Sequence, residues 1–130
     1  MSVALRVVEI ECVDPIQLGQ FWSAALQTEM GPGSDGVNVP FPGSDVLLYL
    51  KEGRSQGATN CVRLHLNPQQ RSLVEEVERL QALGANVVKQ GWQHRGFGLG
   101  LTLMADPEGN EFYVQASDKE VAVVQDAIED

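Results

Sequence analysis

One arrangement of strands and a helix is written twice along this chain, and the repeat limits the possible folds more than any other feature. Val3 to about Lys51 reads as strand, helix, then short strands ending in Val46-Leu47-Leu48-Tyr49-Leu50. Asn60 to about Ala116 reads as strand, helix, then strands ending in Glu111-Phe112-Tyr113-Val114. The copies are offset by roughly sixty residues, too long a period and too few copies for a solenoid. Two like units in 130 residues imply one pseudo-symmetric α+β domain with a cavity between or inside its halves. The expected organisation is module one at about 3–51, a polar linker at about 52–59, module two at about 60–116 and a C-terminal helix at about 119–128.

The periodicities behind this reading are local. In the first strand Leu5, Val7, Glu9 and Glu11 alternate with Val8, Ile10 and Cys12, which puts the two sets on opposite faces. Asp14-Pro15 has the form of a helix start, with Asp14 as N-cap and Pro15 in the first helical position. Leu18, Phe21, Trp22, Ala25 and Leu26 then recur at helical spacing. Gly31 to Gly36 is a turn cluster, and Val37 to Phe41 is a short strand. In the second half Cys61, Arg63 and His65 share one strand face and Val62, Leu64 and Leu66 the other. Pro68 stops that strand and admits a helix. Leu73, Val74, Val77, Leu80 and Leu83 form its apolar stripe, and Gly84 ends it. Asn86 to Gln90 is a strand, and Gly91 to Gly98 a loop. Leu99–Ala105 and Glu111–Ala116 make a hairpin, with Pro107 and Gly109 suited to its turn.

Nine Lys and Arg against eighteen Asp and Glu leave a net charge of −9. Phosphate backbones require clustered cations, so nucleic acid is excluded as a partner. An anionic membrane surface is disfavoured on the same ground, and no apolar run reaches bilayer-spanning length. Met1 to Arg6 runs directly into a strand without the apolar region and cleavage site of a signal peptide, which sets the expectation of a cytoplasmic protein. Cys12 and Cys61 fall inside apolar strand patterns without a C-x-x-C spacing, so they are expected as buried free thiols. The acidity serves solubility and also permits a cationic ligand.

Four segments carry a family resemblance. They are Cys12-Val13-Asp14-Pro15 leading to Phe21-Trp22, Arg63 to Asn67, Val77 to Ala85, and Ala105-Asp106-Pro107-Glu108-Gly109-Asn110-Glu111-Phe112. In this order the chain resembles the vicinal oxygen chelate superfamily, within it the glyoxalase-like, bleomycin-resistance-protein-like branch. The resemblance implies two βαβββ modules forming a pseudo-symmetric half-barrel cup with the helices on the opposite face, and a homodimer. It also implies that metal-dependent members draw four His, Glu or Gln ligands from the first and last strands of the modules. Carried onto this sequence, those positions are Val7, a residue near Leu47 or Tyr49, His65 and Tyr113. One of the four is a usable ligand, so no family-type metal and no cofactor is expected.

Strand parity independently puts Glu9, Glu11, Arg63, His65, Glu111, Tyr113 and Gln115 on the face away from the helices. The structural alternative for the charged members is a solvated sheet face on which Arg63 pairs with a Glu. The segment carrying Trp92, His94, Arg95 and Phe97 is placed on a loop bordering the pocket, where aromatic rings suit an apolar or aromatic ligand. The ligand-binding candidates are therefore Glu9, Glu11, Tyr49, Arg63, His65, Trp92, His94, Glu111 and Tyr113, with His65 the one catalytic candidate. The first functional reading is a metal-free cup that binds a small organic molecule, cationic or aromatic, in the manner of a drug-sequestering protein. The second is a metal-independent isomerase or lyase using His65 with a Glu as acid and base. The third is a metal enzyme with ligands outside the family pattern, drawn from Glu9, Glu11 and His65. Whether the protein turns a substrate over stays open between them.

Overall fold

The computed structural model describes residues 3–53, 62–93 and 100–129, with side chains at 3–53, 62–90 and 100–123. Its elements are β1 (Val7–Cys12), α1 (Pro15–Leu26), β2 (Gly31–Pro32), β3 (Gly36–Pro40) and β4 (Leu47–Glu52), followed by β5 (His65–Leu66), α2 (Leu73–Leu83), β6 (Asn86–Gln93), β7 (Gly100–Ala105), β8 (Glu111–Gln115) and α3 (Asp118–Glu129). The two sheets have the orders β1-β4-β3-β2 and β5-β8-β7-β6. In each, the first strand runs parallel to the last, and every other pairing is antiparallel. A parallel pair needs a crossover connection. In both copies a helix followed by two antiparallel strands supplies it. The βαβββ pattern read from the sequence is therefore present twice. The strands and helices fall into two compact units, and Pro107–Gly109 group with the first.

In the first unit α1 lies against β3 and β4. The alternation of β1 sends Ile10 and Cys12 inward, both buried, and leaves Glu9 and Glu11 exposed. They join Val37, Val39, Leu48 and Leu50 beneath Leu18, Phe21 and Trp22, all buried. Phe21 and Trp22 meet edge to face at 5.1 Å, a geometry favoured by their ring quadrupoles. Cys12 is buried; Cys61 lies outside the described residues. Asp14 caps α1 by accepting the Gln17 N–H at 3.2 Å. Both oxygens of Glu108 accept from the preceding turn, Val13 N–H at 2.8 Å and Asp14 N–H at 2.9 Å.

Several boundaries differ from the sequence expectation; β5, expected from Cys61, is paired only over His65–Leu66. β1 begins at Val7 rather than Val3, because the partner strand β4 begins at Leu47. Gly31–Pro32 is a strand, not part of a turn: Gly31 pairs with Asn38 and Pro32 with Val37. The tight connection between β2 and β3 closes through Gly33 N–H donating to the Gly36 carbonyl at 2.9 Å. Gly36 then passes so close to β4 that a β-carbon on it would fall 1.9 Å from the Leu50 carbonyl oxygen. α2 starts at Leu73, the first residue of the apolar stripe read from the sequence. Its start is a capping box: Glu75 N–H donates to Ser72 Oγ and Ser72 N–H to Glu75 Oε1, the reciprocal pairing of Ser-x-x-Glu.

In the second unit Val77 and Leu80 of α2 are buried, with Met104, Phe112 and Val114 of the sheet. Val74 and Leu83 are exposed, so the apolar stripe of α2 is narrower than the sequence suggests. The turn from β7 to β8 is held by its own side chains. The Asp106 carboxylate accepts from Asn110 N–H at 2.9 Å and from the Asn110 amide at 2.9 and 3.1 Å, and both residues are buried. Gly109 occupies the left-handed region at φ 89°, where a side chain is disfavoured.

The two main helices end differently. α2 closes at Gly84, φ 120°, whereas α1 closes at Gln27, φ 57°. A left-handed residue at this position is normally Gly. Gln27→Gly is therefore expected to raise unfolding free energy by about 0.5–1 kcal/mol, read from the urea midpoint. An unchanged or lowered midpoint contradicts the assigned conformation.

The start of α3 is tied to the start of α2 by one carboxylate. Glu120 Oε1 accepts from Ser117 N–H and from Leu73 N–H, each at 2.9 Å, and Ser117 Oγ accepts from Glu120 N–H. Partial burial opposes ionisation of Glu120, but the Ser117 and Leu73 N–H donors, with the Ser117 side chain, outweigh it and hold its pKa below the ordinary carboxylate value. A depressed carboxylate pKa adds stability that is complete above the unfolded-state pKa and disappears as pH falls through the folded-state value. The stability of the wild type should thus fall more steeply on acidification through the carboxylate range than that of Glu120→Gln. Parallel urea-midpoint curves for the two proteins would contradict this role.

Candidate functional site

The register of β5 against β8 sets two pairs of side chains side by side. His65 stands opposite Tyr113, and Leu66 opposite Val114. Residues opposite one another across paired strands share a face. Leu66 and Val114 face inward. His65, exposed, and Tyr113, half-buried, face away from α2. Their ring centroids lie 4.7 Å apart, tilted by 31°, a close ring-on-ring contact. Arg63, just before β5, grips Glu111 at the start of β8 through Nη2 at 2.7 Å and Nε at 3.2 Å, both to Oε1. Next to Tyr113 on β7 is Leu103, and next to Gln115 is Leu101; both leucines are buried. This face of the second sheet therefore presents a ring pair, an ion pair at one end and an apolar flank.

The ion pair changes the electrostatics expected from the sequence. Arg63 neutralises Glu111. The structural alternative for Arg63, pairing with a Glu, is what forms. Such a half-exposed pair adds little stability; its effect is to remove net charge from this end of the face.

On the first sheet Glu9, Tyr49 and Asn38 stand in one register row, and Glu11 and Lys51 in the next. Tyr49 is turned to a structural task. Its hydroxyl donates to Asp35 Oδ1 and accepts the Asp35 N–H at 3.1 Å. Its ring lies over Gly33, where a β-carbon would sit 2.5 Å from the ring edge. Lys51 approaches Asp35 at 3.8 Å. Glu9 and Glu11 are exposed.

Trp92 is on a strand and not on a loop: β6 runs to Gln93, and Trp92 pairs with Leu101 across a register shift. The early end at Gln90 was read from Gly91, but a glycine inside an irregular strand pairing is ordinary at a bulge. His94, Arg95 and Phe97 lie outside the described residues. The structure thus brings together Arg63 with Glu111, His65 with Tyr113, and Glu9 with Tyr49. Asp35 was missed as the partner of Tyr49 because the two are 14 residues apart and meet only through the hairpin of β3 and β4.

The four positions that the resemblance assigns to metal ligands do not fit a metal. Val7 stands opposite Leu47, and neither side chain has a donor atom. His65 lies against Tyr113. Among the described residues no group of three His, Cys, Asp or Glu side chains is placed to hold a metal ion. Nor is any helix among them long and apolar enough to cross a membrane.

Two βαβββ modules with this strand order define a vicinal oxygen chelate fold, and the comparisons agree. A family model described as a glyoxalase-like domain matches residues 7–115. The chain belongs to that glyoxalase-like domain family. Among solved structures it is similar to a glyoxalase/bleomycin resistance protein/dioxygenase family enzyme from Burkholderia phytofirmans PsJN, at TM-score 0.70 and 13% identity over 86% of this chain and 97% of that one. It is also similar to the fosfomycin resistance protein FosX from Listeria monocytogenes, as a mutant complexed with Mn(II) and dihydroxypropylphosphonic acid, at TM-score 0.68 and 17% identity over 92% and 94%. A superfamily member from Sphaerobacter thermophilus DSM 20745 gives 0.64 and 21% over 87% and 96%. At these identities the likeness establishes the fold. No curated protein matches the chain.

Proposed function

We propose that this protein binds a small planar organic molecule, aromatic and either neutral or cationic, on the His65–Tyr113 face, and that it sequesters its ligand without a resident metal or cofactor. The observation that carries the reading is the ring pair itself. Where the family resemblance leads to metal ligands, this chain has an accessible imidazole lying against a phenol ring, with Leu103 beside it. A flat ring can pack against such a pair, and the His65 nitrogens and the Tyr113 hydroxyl can orient it by hydrogen bonds. Trp92, placed by the backbone next to Leu101, is proposed as a further contact. The Arg63–Glu111 pair leaves its end of the face without excess charge, and the net charge of the chain disfavours anions.

A further part of the proposal concerns the state of the protein. β1 and β5 are outer strands of their sheets; Val7 at the start of β1 is 47% exposed, and Val3 and Leu5 ahead of it are 80% and 64% exposed. Edge strands of this kind need covering, which supports a homodimer.

The second reading, a metal-independent isomerase or lyase, is favoured by the exposure of His65, an acid–base group suited to neutral pH. Its partner carboxylate would be Glu111, which Arg63 holds. A readily transferable proton needs a looser arrangement, so binding is the stronger reading.

Calorimetric titration with a panel of cationic and neutral polycyclic antibiotics and dyes tests the proposal. At least one member should bind saturably. Tyr113→Ala and His65→Ala should each weaken it by roughly tenfold, about 1.4 kcal/mol, while Tyr113→Phe, which keeps the ring, costs less. Binding that survives both alanine substitutions places the site elsewhere. Isomerisation of a glutathione hemithioacetal well above background, lost in His65→Ala, would establish the enzyme instead.

A further inference from the structure

A recess of about 590 Å³ lies wholly within the first unit, bounded by Val13–Ile16 at the start of α1, by Pro32 and Ser34–Val37 around the β2–β3 connection, and by Glu52 at the end of β4. That volume is in the range of small-molecule sites. Its walls hold apolar surface in contact with water: Val13 is 41% and Ile16 57% exposed. Its rim is acidic, with Asp14, Asp35 and Glu52 and no Lys, Arg or His among the described residues that line it. Lys51, 3.8 Å from Asp35, offsets one of the three charges. Asp14 is engaged by the Gln17 N–H and Asp35 by Tyr49. The Glu52 carboxylate has no hydrogen bond or ion pair among the described residues.

The recess is built from fixed parts. Glu108 pins the Val13 and Asp14 backbone with both oxygens. Tyr49 pins the Asp35 corner, and Gly36 is pressed against the Leu50 carbonyl. A preformed wall costs little ordering on binding. Apolar exposure calls for an apolar body, and the surplus of carboxylates sets its charge. A metal ion would gain nothing from Val13 and Ile16, and an anion would be repelled.

We propose that this recess is a second binding site, for a small organic cation: a protonated amine at Glu52 on the acidic rim, carried on an apolar body that covers Val13 and Ile16. It uses residues of the first unit alone, so it stands or falls separately from the His65–Tyr113 face.

The test is an amide NMR titration of the ¹⁵N-labelled protein with phenethylammonium, and with phenylethanol and phenylacetate as neutral and anionic counterparts of the same body. Phenethylammonium should give saturable shifts at Val13, Ile16, Ser34, Gly36 and Glu52, weakened by added salt. Phenylethanol should bind about fivefold more weakly and phenylacetate not at all. Ile16→Ser and Glu52→Gln alter exposed side chains and should keep the rest of the spectrum unchanged. Each should weaken phenethylammonium about three- to fivefold. Three outcomes overturn the proposal: equal affinity for all three compounds, shifts confined to the His65 and Tyr113 region, or no saturable shift at these amides up to about 10 mM.

Discussion

The parallel pairing of the first and last strands within each module is the constraint on which the rest depends. β1 lies along β4, and β5 along β8. A parallel neighbour cannot be reached by a tight turn. The chain must cross over, and it does so with a helix that covers one face of the sheet. That one topological requirement sends Ile10, Cys12, Leu48 and Leu50 under α1, and Phe112 and Val114 toward α2. It leaves the opposite faces for side chains that the core does not need. Because the side-chain period of a strand is two, the register fixes which residues those are; a slip of one residue would bury Glu9 and Glu11 and expose Ile10 and Cys12.

The same pairing selects the chemistry. It joins Val7 to Leu47 in one module and His65 to Tyr113 in the other. The first pair has no donor atom. The second is a ring pair. Where the family resemblance places metal ligands, this chain has only one imidazole, and a phenol ring occupies its flank. The neighbouring charges are also accounted for, since Arg63 and Glu111 hold each other. What remains accessible on that face is aromatic and nearly neutral, which suits stacking better than electrophilic activation of an oxygen.

Much of the fold was legible in the residues because the signals were local. The Asp14-Pro15 start of α1, the Gly84 end of α2 and the turn over Pro107 and Gly109 each follow from one or two side chains and the backbone they favour. Strand parity separated Glu9 and Glu11 from Ile10 and Cys12 for the same reason. What the sequence hid was long-range. The start of β1 at Val7 depends on where β4 begins. The pairing of Gly31–Pro32 depends on β3, and the commitment of Tyr49 to Asp35 depends on the hairpin that brings them together. Trp92 was misread because Gly91 resembles a strand stop, yet β7 offers β6 a partner beyond it. The capping box of Ser72 and Glu75 was local and could have been found from its Ser-x-x-Glu spacing. Of the candidate site, the adjacency of His65 and Tyr113 required the β5–β8 register, which no single segment reveals.

Elemental analysis of the protein, purified without an affinity tag, tests the central claim most directly: that the first and last strands here carry a ring pair in place of a metal site. The account predicts far less than one zinc, nickel, manganese or iron per chain, with no difference between wild type and His65→Ala. About one equivalent of such a metal per chain, lost in His65→Ala, would contradict it.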